Sequence, residues 1–266
     1  MANKITWRMS DLVSEIKKHK KTFTLFVILR ALVIAVMVAQ IFNKNYENVF
    51  LCLLTLVLFM VPSFIQRNFH IEIPDTLEII ILLFIFAAEI LGEISEYYIH
   101  FKHWDTMLHT LNGFLAAAIG FSMVDILNKN EKFKFMLSPF FLSVVAFCFS
   151  MTIGVLWEFY EFGVDLFLGF DTQKDTVLTS INSVLLNPDG INVPYMIKNI
   201  TSVAVNGQEL GIGGYLDIGL YDTMMDLFVN FIGASVFSVI GYFYVKNRGE
   251  GRFLKGFIPR IKKGQE

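Results

Sequence analysis

Charged residues and cysteines are both scarce in this chain of 266 residues. Asp, Glu, Lys and Arg together make up 17% of it, and only two cysteines are present. A soluble domain averages about 25% charged residues, and disordered chains combine high charge with few aromatic residues, so neither class fits. Two cysteines inside long apolar runs cannot form a disulfide framework. The net charge of −2 and the lack of a basic groove argue against a nucleic-acid partner.

The local motifs of common soluble enzymes are also missing. There is no Gly-x-Ser-x-Gly elbow, P-loop, His-Glu-x-x-His or Cys-x-x-Cys motif. Apolar sequence is abundant instead, with 55% hydrophobic residues and 28 Phe. Since a membrane-crossing helix needs about 20 apolar residues, the sequence predicts an all-α membrane protein, a bundle of about six transmembrane helices in a lipid bilayer. The predicted spans are about 22–42, 48–65, 74–93, 105–127, 136–168 and 221–245.

The fifth predicted span is longer than one straight crossing requires. Its length of about 33 residues corresponds to about 50 Å of helix, at about 1.5 Å per residue. The hydrocarbon core is only about 30 Å thick. We therefore expect the end of this helix, residues 157–169, to project from the membrane or to bend near Gly163.

Basic residues are distributed unevenly between the two sides of this predicted bundle. Both termini and two loops share one side and hold 17 Lys and Arg, against 4 in the three opposite loops. Lys and Arg accumulate in cytoplasmic loops, so both termini are predicted to be cytoplasmic. The 17 basic residues lie in 1–21, 66–73, 128–135 and 246–266.

The three longest segments outside the predicted spans are 1–21, 169–220 and 246–266. Residues 1–21 and the basic tail 246–266 mix apolar with basic side chains, which is typical of cytoplasmic segments lying on a membrane surface. The segment 169–220 is predicted to be extracellular. Its turn signals, such as Asn206-Gly207, and its β-branched runs predict a hairpin or a small cap. The apolar residues expected on the surface in the tail are Phe253, Leu254, Phe257 and Ile258.

Ionisable residues gather at one end of each of the last four spans. Such residues are costly inside a membrane and mark functional sites. Their spacings of three, four and seven place them on one face of each helix. Since the predicted topology brings all four faces to the outer leaflet, we predict a shared polar site there. The groups are Glu89, Glu93 and Glu96; Asp105, His109 and Asn112; Glu158, Glu161 and Asp165; and Asp222, Asp226 and Asn230.

Several carboxylates beside one histidine suit either a divalent cation or a general acid–base pair. Glu158 and Glu161 end a helix, where the helix dipole disfavours negative charge. Asp105 and Asp222 begin helices, so capping explains them equally well. We predict catalytic roles for Glu158, Glu161 and His109, with a divalent metal ion as the candidate cofactor. The predicted metal ligands are Asp105, His109, Glu158, Glu161, Asp222 and Asp226, and the predicted substrate-binding residues are Asn112, Asp165 and Asn230.

Three motifs carry a resemblance to a known family. They are HWDTMLHTLNGF at 103–114, WEFYEFGVD at 157–165 and YDTMMDL at 221–227. In this order they resemble the YjdF-like bacterial membrane proteins, which are distantly similar to the VanZ-like group. The resemblance covers about 75–245 and implies an uncharacterised multi-pass protein of the bacterial inner membrane, with these acids and His109 at its polar site. The link of VanZ-like proteins to glycopeptide-antibiotic resistance implies work on the cell envelope.

Three functions remain open at this point. The first is a hydrolase or transferase, metal-dependent or acid–base, that acts on a cell-envelope or lipid-linked substrate. The second is a non-catalytic membrane scaffold or binding protein whose polar groups form an internal hydrogen-bond network. The third, an ion- or proton-coupled transporter, is less favoured because the polar groups lie at one side and no inverted repeat is apparent.

Overall fold

The computed structural model describes residues 19–68, 71–128, 137–247 and 254–261. Nearly all of the predicted surface segment 1–21 and most of the loop 128–135 therefore lie outside the described residues. Long apolar helices dominate the rest, which confirms an all-α membrane protein. The helices are α1 (Lys20–Phe42), α2 (Tyr46–Leu58), α3 (Val61–Asn68), α4 (Asp75–Phe86), α5 (Tyr97–His100), α6 (Trp104–Asn128), α7 (Pro139–Leu168) and α8 (Leu220–Lys246).

Five candidate spans are present among the described residues, each long and apolar enough to cross a membrane. They are α1, α2 continued by α3, α6, α7 and α8. The third predicted span is divided: α4 has 12 residues and runs directly into a π-helix, Ala87–Ile94, of 8 residues. Neither piece reaches the length of a span by itself, so the sixth crossing stays a prediction. α7 stays helical through Gly163 and covers 30 residues.

The chain forms two compact units. The first unit comprises residues up to Met151 and from Asn230 onward, and the second comprises Thr152–Val229. The first unit has two hydrophobic clusters. One joins α4, α6, α7, α8 and the tail, around Leu77, Phe121 and Phe237. The other joins α1, α2, α4 and the π-helix, around Val33, Cys52, Leu82 and Ile90.

Two apolar residues of the tail, Phe257 and Ile258, lie in the core of the first unit. Phe257 and Ile258 are buried, and the Phe257 ring lies edge-on to Phe114 at 5.3 Å between centroids. A short antiparallel pair, β1 (Ile71–Glu72) with β8 (Arg260–Ile261), holds the tail next to the start of α4. The prediction that these two residues lie on the membrane surface is therefore wrong, because the strand pair directs them inward.

Small residues bring α6, α7 and α8 into close contact within the first unit. A Cβ atom on Gly113 would overlap the carbonyl oxygen of Asn230, and one on Gly233 would overlap the carbonyl oxygen of Thr110. On the α7 side, a Cβ atom on Gly120 would come within 2.7 Å of the Phe149 side chain. Small residues permit such backbone approach in membrane helices, where dispersion contacts drive packing.

The second unit consists of the adjoining parts of α7 and α8 and the segment between them. That segment contains three antiparallel strand pairs. The turn at Asn206-Gly207 has positive φ at both residues, 51° and 78°, as a two-residue hairpin turn of type I′ requires. The pairs are β2 (Val177–Leu178) with β7 (Tyr215–Leu216), β3 (Ile181–Ser183) with β4 (Tyr195–Ile197), and β5 (Ala204–Val205) with β6 (Gln208–Glu209).

Candidate functional site

The first turn of α6 brings a carboxylate and an imidazole together. Asp105 Oδ1 lies 3.5 Å from His109 Nε2, across one helical turn in the first unit. The His109 side chain is 13% exposed, whereas that of Asp105 is 36% exposed. The aspartate can therefore orient the largely buried imidazole and stabilise its protonated form. Asn112, one turn further along α6, is half-buried.

Asn230 takes part in the packing of α7 against α8 within the first unit. Its Nδ2 donates to the Ser150 carbonyl oxygen at 3.4 Å, while the Ser150 hydroxyl donates to the Gly113 carbonyl oxygen at 2.8 Å. Both side chains are fully buried. Among the described residues, Asn230 Oδ1 has no hydrogen-bond partner. The predicted substrate-binding residue thus ties helices together through its amide nitrogen and keeps one buried acceptor.

A short segment after α7 folds back over the ends of α7 and α8 in the second unit. We call residues 171–176 the strap. Gln173 is its buried residue: its Nε2 donates to Thr223 Oγ1 at 2.5 Å and lies 3.4 Å from Glu158 Oε2. Gly219, at φ +78°, makes room for it, since a Cβ atom there would lie 2.7 Å from Gln173 Cβ. The strap thereby links α7 and α8 through one side chain.

Asp165 fixes the strap to the end of α7. Its Oδ1 accepts hydrogen bonds from the backbone N–H and the hydroxyl of Thr172, both at 2.6 Å, and its Oδ2 accepts from the Gln173 N–H at 2.8 Å. Thr172 Oγ1 also lies 3.1 Å from the Glu161 carbonyl oxygen. Asp165 was predicted from the sequence to bind substrate. The structure shows it binding the chain's own backbone.

Two further aspartates bind strap amides from the α8 side. Asp222 Oδ2 accepts from the Lys174 N–H at 2.8 Å. Asp217 Oδ1 accepts from the Thr176 N–H, and its Oδ2 accepts from the Tyr221 N–H in the first turn of α8, both at 2.8 Å. Negative charge is favourable at a helix start. Carboxylates therefore bind the amides of 172, 173, 174 and 176, and part of the acceptor capacity of the predicted metal ligand Asp222 is occupied.

The strap also contains an acid whose proton affinity is altered. Partial desolvation raises the pKa of the exposed Asp175 above its ordinary value, and repulsion from Asp171 and Asp217 adds to the effect. A backbone hydrogen bond from Gly219 opposes the rise. The clustered carboxylates that hold the strap therefore disfavour the ionised form of Asp175 in the folded state.

Two acids of the second unit are deeply buried. Glu158 on α7 and Asp226 on α8 are each 4% exposed. Glu161 is half-buried. A buried carboxylate needs a proton, a cation or hydrogen-bond donors to offset its loss of water. Each of these two carboxylates therefore requires a proton, a cation or hydrogen-bond donors at its buried position.

Glu96 does not share the helical face of Glu89 and Glu93. Glu89 and Glu93 lie on the π-helix, which has a wider turn than an α-helix. Glu96 lies beyond it, with a left-handed backbone at φ 58°, and its Oε2 is 3.5 Å from His100 Nε2. The predicted grouping of the three residues is therefore wrong at Glu96, because the helix ends before this residue.

Several residues that organise the site escape sequence reasoning. Gln173 and Thr172 lie in a polar segment without periodicity, so no spacing signal marks them. Ser150 sits in an apolar run, where its hydroxyl suggests only a local bond to its own helix. Gly113 and Gly233 carry a usable signal, because glycine inside an apolar span suggests a helix contact.

Comparison with known proteins identifies a family and a relative of this chain. The family model described as "Predicted membrane protein (DUF2238)" matches residues 25–247. An uncharacterized protein of Thermotoga maritima is 30% identical over 128 residues, covering 47% of this chain. The match spans 64% of that relative's length, which is less than two thirds. No solved structure matches the chain. The expected membership of an uncharacterised membrane family is confirmed, and the similarity to the VanZ-like group stays a prediction.

Proposed function

The chain belongs to the DUF2238 family of predicted membrane proteins, and on this premise we propose that it is a membrane enzyme with a carboxylate site at the outer leaflet. The proposed reaction is hydrolysis or group transfer on a cell-envelope or lipid-linked substrate, with a divalent cation or an acid–base pair. The proposal places the protein in the bacterial plasma membrane with both termini cytoplasmic, as the basic-residue count predicts.

The burial of Glu158 and Asp226 is the observation that carries the proposal. Each carboxylate is 4% exposed. A purely structural acid in the same unit behaves differently: Asp165 is half-buried and accepts three short hydrogen bonds from the strap. Glu158 accepts a hydrogen bond from the Gln173 amide at 3.4 Å. The deep burial of two acids in a membrane protein favours a functional role over simple anchoring.

The proposed roles follow the chemistry of each side chain. Glu158 and Glu161 are the acid–base candidates, and Glu158 with Asp226 offers the oxygen ligands that magnesium, manganese or calcium prefer. Asp105 and His109 are proposed to belong to the same chemistry, since an imidazole oriented by a carboxylate can transfer protons or bind zinc. Asn112 remains the proposed substrate-binding residue of α6.

Cation-dependent stability tests the proposal. Detergent-purified protein is stripped with chelator, and its melting temperature is measured with added magnesium, manganese, calcium or zinc. We expect one cation to stabilise the wild type, because binding to the folded state alone raises stability. Glu158→Gln and Asp226→Asn should abolish this response, and His109→Gln tests whether the imidazole contributes. Asp171→Asn, which alters an exposed strap carboxylate with a side chain 64% exposed, should respond like wild type.

A second candidate function is a non-catalytic scaffold with an internal polar network. The strap favours it, because three aspartates bind its backbone amides and so serve to hold the chain in place. In that case, no cation would stabilise the wild type, and Glu158→Gln and Asp226→Asn would lower the melting temperature equally with and without added metal. That result would contradict the metal-dependent enzyme.

A further inference from the structure

A groove with a volume of about 500 Å³ lies beside the contact of α6 and α8 in the first unit. Its lining includes His103 just before α6, Met107, Thr110 and Phe114 along α6, and Gly233 and Val236 on α8. Gly233 belongs to the lining of the groove where α8 packs against the backbone of α6 at Thr110. Met107 and Val236 are 47% and 48% exposed, so the groove opens sideways to its surroundings.

Below the first turn of α6, the wall of this groove is effectively apolar. The Thr110 hydroxyl donates to the Thr106 carbonyl oxygen at 2.7 Å, so its proton is already bonded within the helix. A groove on the outside of a membrane-spanning helix is surrounded by lipid acyl chains, which can fill it. An empty groove would leave its lining without dispersion contacts, and water there would gain few hydrogen bonds.

The length of the groove matches one leaflet of a bilayer. From His103 to Phe114, α6 rises about 16 Å at about 1.5 Å per residue. Half of a hydrocarbon core about 30 Å thick is about 15 Å. The groove therefore runs from the membrane surface at the start of α6 to about the midplane, which is the extent of one acyl chain.

Positive charge lies where the groove meets the surface. Lys102 and His103 are both exposed, immediately before α6 begins. The nearby acids are engaged with other histidines: Glu96 lies 3.5 Å from His100, and Asp105 lies 3.5 Å from His109. Lys102 forms no ion pair within the part of the chain that the structure describes. Its ammonium group is therefore available to a phosphate at headgroup depth.

The groove is separate from the polar face of α6. At about 100° per residue, Asp105 and His109 point to roughly the opposite side of the helix from Met107, Thr110 and Phe114. A molecule in the groove is thus not presented to the Asp105–His109 pair. The inference below does not depend on the proposed function.

We propose that this groove is a lipid-binding site, taking one acyl chain of an anionic phospholipid of the bilayer with its phosphate beside Lys102 and His103. The chain lies along the groove between Phe114 and Val236. The bound lipid completes the packing beside the contact of α6 and α8.

Native mass spectrometry of the full-length protein tests this site. Phosphatidylglycerol or phosphatidylcholine is added to delipidated protein, and bound lipid is counted. We expect one tightly bound phosphatidylglycerol and weaker binding of phosphatidylcholine. Met107→Trp, which fills the groove, should weaken phosphatidylglycerol binding by about tenfold, equivalent to about 1.4 kcal/mol. Met123→Trp is the matched control on α6, at 55% exposure outside the groove, and should bind like wild type.

A second pair of variants, on α8, tests the same groove if Met107→Trp does not fold. Val236→Trp should lose the lipid, whereas Val239→Trp, at 57% exposure on the same helix, should keep it. Lys102→Glu should remove the preference for phosphatidylglycerol over phosphatidylcholine, and Lys198→Glu should not. Equal phosphatidylglycerol binding by the groove variants and their controls would overturn the site. Equal wild-type affinity for both lipids would overturn the anionic headgroup.

Discussion

Gly233 of α8 packs directly against Thr110 of α6, so closely that a Cβ atom at residue 233 would overlap the Thr110 carbonyl oxygen. The relationship is reciprocal, because a Cβ atom on Gly113 would overlap the Asn230 carbonyl oxygen. Two helices thus cross backbone against backbone. This close crossing fixes the positions of the side chains that follow on both helices in the core of the first unit, including Phe121 and Phe237.

Gly233→Ala should destabilise the protein markedly. The added methyl group must displace one helix backbone, and overpacking of this kind costs about 1–3 kcal/mol or more. A lowered melting temperature in detergent would show it. Gly163→Ala is the control, since that glycine lies within α7 and a Cβ atom there meets nothing within 4 Å. This change should be neutral or stabilising by up to about 1 kcal/mol. Equal melting temperatures for the two variants would contradict the close crossing.

Ser150→Ala should lower stability through the loss of one interhelical hydrogen bond. The Ser150 hydroxyl donates to the Gly113 carbonyl oxygen from a fully buried position. Its loss should cost about 1 kcal/mol, a typical net value for such a bond. Ser143→Ala is a matched control on the same helix, because the buried Ser143 hydroxyl donates to the Pro139 carbonyl oxygen of its own turn. If thermal unfolding showed the same loss for both serines, the interhelical bond would contribute nothing measurable.

The long spans could be predicted because apolar runs of about 20 residues have few alternatives in a membrane protein. The observed α6 and α8 extend from the predicted bounds by only about one residue at each end. The π-helix at Ala87–Ile94 could not be predicted, since its period depends on packing rather than on residue type. The burial of Phe257 likewise depends on a strand pair between residues far apart in the chain.

The sequence predicts which residues belong to the candidate site, but it predicts their roles only in part. The acids Glu158 and Asp226 are buried, in agreement with the expectation that ionisable residues within membrane spans belong to a functional site. The spacing of Asp165 gave no information on its partners, because the amides it binds belong to the strap. Sequence patterns locate side chains on a helix face, but they do not show which loop backbone covers that face.

Asp165→Asn should release the strap from the end of α7. The amide group replaces one acceptor oxygen with a donor, so at least one of the bonds from Thr172 and Gln173 is lost. A charge-assisted hydrogen bond contributes about 1.5–3 kcal/mol, so exchange of these two amides should accelerate on the order of tenfold or more. Hydrogen–deuterium exchange of a peptide covering 170–176 measures this.

Asp171→Asn provides the comparison for the strap, because the Asp171 side chain is exposed and lies 3.8 Å from Lys174 Nζ at the surface. Exposed ion pairs contribute little, so its exchange should match wild type. Protection that persists in Asp165→Asn would show that Asp222 and Asp217 hold the strap without help from α7.

Asp175→Asn should stabilise the protein at neutral pH and have no effect in acid. Partial desolvation and the neighbouring Asp171 and Asp217 raise the pKa of the exposed Asp175 in the folded state. The folded protein therefore binds this proton more tightly than the unfolded chain, whose Asp pKa is about 3.9, so stability falls as the pH rises from about 3.9 through the folded pKa. Asn carries no charge and avoids this loss. Melting temperatures measured between about pH 3.5 and 7 should diverge from wild type only as the pH rises. The exposed Asp189→Asn provides the control, and a difference for Asp175→Asn that is constant with pH would contradict this assignment.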